Sequence, residues 1–195
     1  MPARTIAGRN VVVACDASAQ ASAAWLLDVI PKLVAQGLRL EDGATFQCGW
    51  APLTLRERAG DLVVCEPEFE DLSRGERADV TTTLLVQAEM LDTTRAVGSE
   101  PIVPTYRQVL FVDVGAWTAR AVTMTRIRAQ TPSDSGWLVV PEGMDSSHTE
   151  VARVHELVAK KRAWLAPMAL PRGYVIHLVG SRIAAIGTPP GRTLY

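Results

Sequence analysis

The apolar residues of this chain come in short runs, and that brevity constrains the fold more than any other feature. Asn10-Val-Val-Val-Ala-Cys15, Leu62-Val-Val-Cys65, Val109-Leu-Phe-Val112, Trp137-Leu-Val-Val140 and Tyr174-Val-Ile-His-Leu-Val179 are each bounded by polar or Gly- and Pro-containing segments. Runs of this length, rich in β-branched residues, read as buried strands, because a helix of ordinary size needs a pattern of at least about 10–12 residues. Alternating segments add to them. Phe46, Cys48 and Trp50 alternate with small or polar neighbours, with a bulge or bend expected near Pro52. Val122 and Met124 alternate with Thr123 and Thr125. Arg56–Asp61 predicts a hairpin, and Gly180-Ser181 carries the two-residue hairpin signal.

Three segments have helical spacing instead. Trp25, Leu26, Val29, Ile30, Leu33 and Val34 form one stripe, opened by Asp16 and Ser18 and closed by Gly37, with Pro31 expected to kink or divide the helix. Val80, Leu84, Ala88 and Leu91 form a second stripe, capped by Asp79 and closed by Gly98. Ser147-His-Thr-Glu150 fits a capping box, predicting a third helix with Val151, Val154, Leu157, Val158 and Leu165 on its inner face. Glu66–Arg77 reads as a solvated loop. Pro101 and Pro104 make the link after the second helix extended. The expected architecture is α+β, with seven to nine mostly antiparallel strands and about three packing helices. It is read as one domain over residues 1–195, with Gly98–Pro104 as the weakest point between sub-lobes 1–100 and 101–195.

The totals narrow the function. At 195 residues, with 48% hydrophobic and 21% charged content, the chain has the composition of a globular protein and not of a disordered one. A net charge of −1, from 20 basic and 21 acidic residues, gives no field that would attract nucleic acid or mimic it. The three cysteines, Cys15, Cys48 and Cys65, sit in apolar surroundings. They read as free thiols in a reducing compartment, with one disulfide and one orphan thiol as the lesser alternative. Met1-Pro-Ala-Arg has no long apolar segment, which predicts no secretory leader and a cytoplasmic protein. No apolar run reaches the roughly 18 residues of a membrane span.

Motifs of cofactor or catalytic chemistry are missing from the sequence. It holds no Walker A loop, Rossmann glycine fingerprint, zinc cysteine pattern or His-Glu-x-x-His, and no cofactor is expected. Asp134, Ser135 and His148 invite a hydrolase reading, but no serine stands on a Gly-x-Ser-x-Gly elbow. His148, His155 and His177 lack the spacing of a metal pair. Cys15-Asp-Ala-Ser-Ala-Gln20 nearly matches the Asp-x-Ser-x-Ser metal loop of von Willebrand type A domains. An adhesion-type domain using Asp16 and Ser18 is therefore the alternative reading, although Gln20 stands where the second serine belongs.

The stretch Asp134-Ser-Gly-Trp137, followed by Gly143-Met-Asp145 and the segment after Ser147, resembles the core of a bacterial polymorphic-toxin immunity-protein family, the thirty-third catalogued. The resemblance runs to about Leu178. Phe46-Gln-Cys-Gly-Trp50, Val64-Cys-Glu-Pro67 and Val97-Gly-Ser-Glu-Pro101 are similar to the N-terminal extension of longer members. The chain departs from many members at Leu138-Val-Val140 and in its near-neutral charge. The resemblance implies a non-enzymatic protein that binds and neutralises a cognate toxin in the same cell. On the residues themselves, Asp134, Trp137, Glu142, Asp145 and His148 are the candidate partner-binding set. The turn and the loop flanking one short strand are expected to share a rim of the sheet.

Overall fold

The computed structural model describes residues 1–146 and 148–188. The chain divides into two compact units, Met1–Ala88 and Glu89–Tyr195. The fold is α+β as expected, but each unit holds a mixed six-stranded sheet with one parallel pair.

In the first unit, β1 (Ala3–Ile6) and β2 (Arg9–Val13) form a hairpin. Its two turn residues, Ala7 and Gly8, both have positive φ, the geometry that matches the right-handed twist of paired strands. After a 3-10 turn comes helix α1 (Gln20–Ala35). Strands β3 (Thr45–Cys48), β4 (Ala51–Arg58), β5 (Asp61–Pro67) and β6 (Glu76–Arg77) complete the sheet. Its order is β1-β2-β5-β4-β3, with β6 added alongside β5. The hairpin expected at Arg56–Asp61 is present, turning at Ala59-Gly60. The parity shift near Pro52 is not a bulge. The chain reverses at Gly49-Trp50, with Cys48 opposite Ala51, and Gly49 supplies the positive φ. Helix α1 packs Ala23, Leu26, Leu27 and Ile30 into a core with Val11, Val13, Leu53, Leu55, Leu62, Val64 and Leu84.

Two expectations for this unit fail, those for Trp25 and for Asp16 and Ser18. Trp25 is 48% exposed, because the buried stripe of α1 centres between Leu26 and Leu27, about 150° around the helix from it. Helix α1 runs on through Pro31, so it is not divided there. Asp16 and Ser18 are exposed, and the Asp16 side chain makes no capping bond.

The segment Glu66–Arg77, expected as a solvated loop, is anchored. Glu66 is fully buried and pairs with Arg77 across β5 and β6, Oε1 to Nη2 2.5 Å. Phe69 is buried and stacks on Trp50, with ring centroids 4.6 Å apart. Helix α2 (Thr81–Ala96) follows, and Asp79 accepts the Thr81 amide at its start, as the sequence predicts. All three cysteines are free thiols. Burial pushes the Cys48 thiol up to about 11.

The second unit carries β7 (Val109–Asp113), β8 (Ala121–Arg126), β9 (Asp134–Pro141), β10 (Thr149–Arg153), β11 (Val175–Val179) and β12 (Arg182–Gly187). The order is β10-β7-β9-β8-β11-β12, with β7 and β9 parallel. The hairpin at Gly180-Ser181 forms as read. The long third helix does not form. Thr149–Arg153 is a strand, and only the single turn α3 (Leu157–Lys160) is α-helical, flanked by 3-10 turns at Val154–Glu156, Arg162–Trp164 and Ala166–Ala169. The capping role read for Ser147 lies outside the described residues. Glu150 instead takes the indole N–H of Trp117 at 2.5 Å, and Glu156 accepts the Arg153 amide at 3.2 Å. Trp137, Trp164 and Met168 are fully buried in this unit's core.

Candidate functional site: two ends of strand β9

Asp134-Ser-Gly-Trp137 is a structural device. The Asp134 carboxylate, 5% exposed, accepts the Gly136 amide at 2.7 Å and the Gln130 amide at 3.0 Å. The Ser135 hydroxyl donates to Val109 O at 2.7 Å and accepts the Trp137 amide at 3.3 Å. Gly136 has φ +78, and a Cβ there would lie 2.5 Å from Ile127 O, so no other residue fits. Together these bonds build the irregularity between β7 and β9, where Val109 faces Asp134 but Phe111 faces Leu138. Trp137 is fully buried, its indole N–H donating to Met168 O at 3.0 Å, with the Arg126 guanidinium 5.8 Å above the ring. Neither Asp134 nor Trp137 presents its side chain to a partner in the folded protein.

The expected shared rim is not formed. Asp134 begins β9 and Glu142 follows its last residue, so the two lie at opposite ends of an eight-residue strand, separated by roughly 26 Å at about 3.3 Å per residue. Of the five candidates, Glu142, Asp145 and His148 are exposed and belong to one loop. Glu142 Oε1 lies 3.3 Å from His177 Nδ1. The His148 amide donates to Asp113 Oδ2 at 3.3 Å, and His148 O accepts the Val114 amide at 3.0 Å. Asp113, buried at the end of β7 and also accepting the Gly115 amide, therefore anchors this loop. Nothing in the sequence had singled Asp113 out. An acidic residue ending an apolar run, two before a glycine, was the available signal.

The same end of the sheet holds a surface that sequence reasoning missed. Strand β10 lies at the sheet edge and pairs only with β7 among the described residues. Four of its five residues are exposed. Val151 and Met144 are each 60% exposed, and Val114 is exposed beside them in the turn after β7. Exposed edge strands are templates for pairing with another chain, and natural proteins usually blunt them. The misreading of 147–165 as helix concealed this edge, because Val151 and Val154 satisfy a helical repeat as well as an irregular strand.

At the alternative site, Thr81 Oγ1 accepts the Asp16 amide at 2.8 Å. The strand that precedes this loop, β2, has one parallel and one antiparallel neighbour. Among the described residues, no three His, Cys, Asp or Glu side chains are placed to hold a metal ion. No described helix is long and apolar enough to cross a membrane.

No family model matches the chain, and no curated protein or solved structure is significantly similar to it.

Proposed function

We propose that the chain is a non-enzymatic, cytoplasmic binding protein of the immunity type, which neutralises a cognate bacterial toxin by direct contact. The observation that carries the reading is the exposed edge strand β10, with apolar Val151 and Met144 beside the acidic loop of Glu142 and Asp145. The Asp134-Ser-Gly-Trp137 resemblance supports the immunity class. In this reading an extended segment of the toxin adds to the open side of β10, main-chain bonds supply affinity, and the loop supplies specificity. Trp137 and Asp134 hold the scaffold.

The test is co-expression with each neighbouring open reading frame. One of these is expected to be toxic alone and harmless with this protein. Val151→Lys and the double variant Glu142→Gln/Asp145→Asn should weaken protection while stability changes by no more than about 0.5 kcal/mol. Trp137→Ala should cost roughly 3–5 kcal/mol of stability. Absence of any rescued toxin sinks the function. Full protection by the Val151 and loop variants sinks the surface.

A further inference from the structure

At the opposite end of β9 lies an open cleft of about 400 Å³, lined by Ile102, Gln108, Arg126, Ile127, Arg128, Ala129, Thr131, Pro132, Asp134, Ser135 and Arg172. Three of these residues are arginines, and one is acidic. The Asp134 carboxylate is committed to the Gln130 and Gly136 amides. Gln108 is likewise committed, donating to Pro132 O and accepting the Thr105 amide.

Arg126 is half-buried and has no carboxylate partner. Its Nε donates to Ser135 O at 3.1 Å, and its Nη1 donates to Ile102 O at 2.6 Å, Leu170 O at 2.8 Å and Met168 O at 3.4 Å. Its Nη2 donates to no group among the described residues. Carbonyls satisfy the geometry of a guanidinium without neutralising its charge, and an uncompensated cation away from water is unfavourable. Burial pushes the Arg126 pKa down, with no carboxylate offsetting it. Arg128 and Arg172 are exposed, line the same cleft and make no ion pair among the described residues.

We infer that this cleft is an anion site for a phosphate or phosphate monoester, with Arg126 as its fixed donor and Arg128 and Arg172 closing on the ligand from solvent. A guanidinium held in place by four carbonyls is pre-organised, and its Nη2, which has no partner among the described residues, offers the fork geometry that phosphate oxygens match. Two further flexible cations favour a dianion over a monoanion. The site is independent of the β10 surface and of the immunity reading, and either stands if the other fails.

The experiment is an NMR titration of the full chain with inorganic phosphate at constant ionic strength, following backbone amides and arginine Nε–H signals. Saturable shifts are expected at Arg126 Nε–H and at the amides of Arg128, Ala129 and Thr131. Acetate should bind more weakly by roughly tenfold, and Arg128→Gln/Arg172→Gln should weaken phosphate by a similar factor. Arg39→Gln, an exposed arginine of the other unit, should bind phosphate like the unaltered protein. Shifts that are absent, unsaturable or scattered over the surface overturn the site and leave Arg126 as a structural clamp. Acetate binding as tightly as phosphate overturns the dianion assignment. Undiminished binding by the double variant overturns the role of the two flanking arginines.

Discussion

Glu66 shows how one residue can reverse the sense of a sequence pattern. Surrounded by Glu68, Glu70 and Asp71, it reads as part of a charged loop, yet it is fully buried at the start of α2. Its Oε2 accepts the Thr83 amide at 2.7 Å, one of the free donors of the helix's first turn, and its Oε1 meets Arg77. Burial raises its pKa from the ordinary 4.5, opposed by the bonds from Thr83 and Arg77. The folded protein therefore holds the Glu66 proton more tightly than the unfolded chain does. The contribution of this carboxyl to stability falls as pH rises from 4.5 through the raised folded value, and is level above it. Glu66→Gln lacks the titration. In urea unfolding across a pH series, the stability of the unaltered protein minus that of Glu66→Gln should decline with rising pH through that window. A difference that grows with pH would mean that Arg77 and the helix start outweigh desolvation. A sequence cannot disclose this, because the burial of Glu66 depends on a two-residue strand, β6, too short to leave a pattern.

Most elements with a buried face were legible, and β12, which buries no residue, was legible from the Gly180-Ser181 turn before it. The nine strands read from apolar runs or alternation all form, and the three missed ones explain themselves. Strand β1 is exposed except at Ile6, β6 has two residues, and β10 buries only Ala152. Helix α1 forms where its apolar stripe predicts, and it continues through Pro31. Proline removes the amide that would bond the carbonyl four residues back, Leu27 O, and a proline inside a helix costs about 3 kcal/mol. Here the Arg4 guanidinium donates to Leu27 O at 3.2 Å and also pairs with Asp28. Both charges are largely exposed, so the ion pair itself contributes little. The replacement of the lost backbone donor is the stabilising part. A double-mutant cycle tests this. Arg4→Met should cost about 1 kcal/mol in the unaltered protein. It should cost almost nothing in Pro31→Ala, where the restored amide takes Leu27 O. Equal costs in both backgrounds would separate Arg4 from the proline.

For the molecule as a whole, the α+β class was legible because short apolar runs and two helical stripes leave few other folds. The two mixed sheets were not, since parallel pairing of β2 with β5 and of β7 with β9 joins strands far apart in sequence. Nor was the division at Ala88 and Glu89, which falls inside α2, where helical spacing continues unbroken. The sequence instead offers the Gly- and Pro-rich stretch after the helix, because linkers are where composition changes. The division has a physical test in the first unit, which holds a hydrophobic cluster of residues lying between Ile6 and Leu85. The buried Glu66, its Arg77 partner and the Thr83 amide also lie within it. A fragment of residues 1–98 keeps these groups together with all of α2 and the positive-φ Gly98 that follows it. At this size a single core is sufficient for independent folding. The 1–98 fragment should therefore unfold in one cooperative urea transition, with protected amides in β4 and β5. A fragment of residues 1–80 loses Leu84 from the core and leaves the buried Glu66 carboxylate without its helix amide, so it should show no cooperative transition. Cooperative folding of 1–80, or a broad, unprotected 1–98, would show that the core between Ile6 and Leu85 does not define a folding unit.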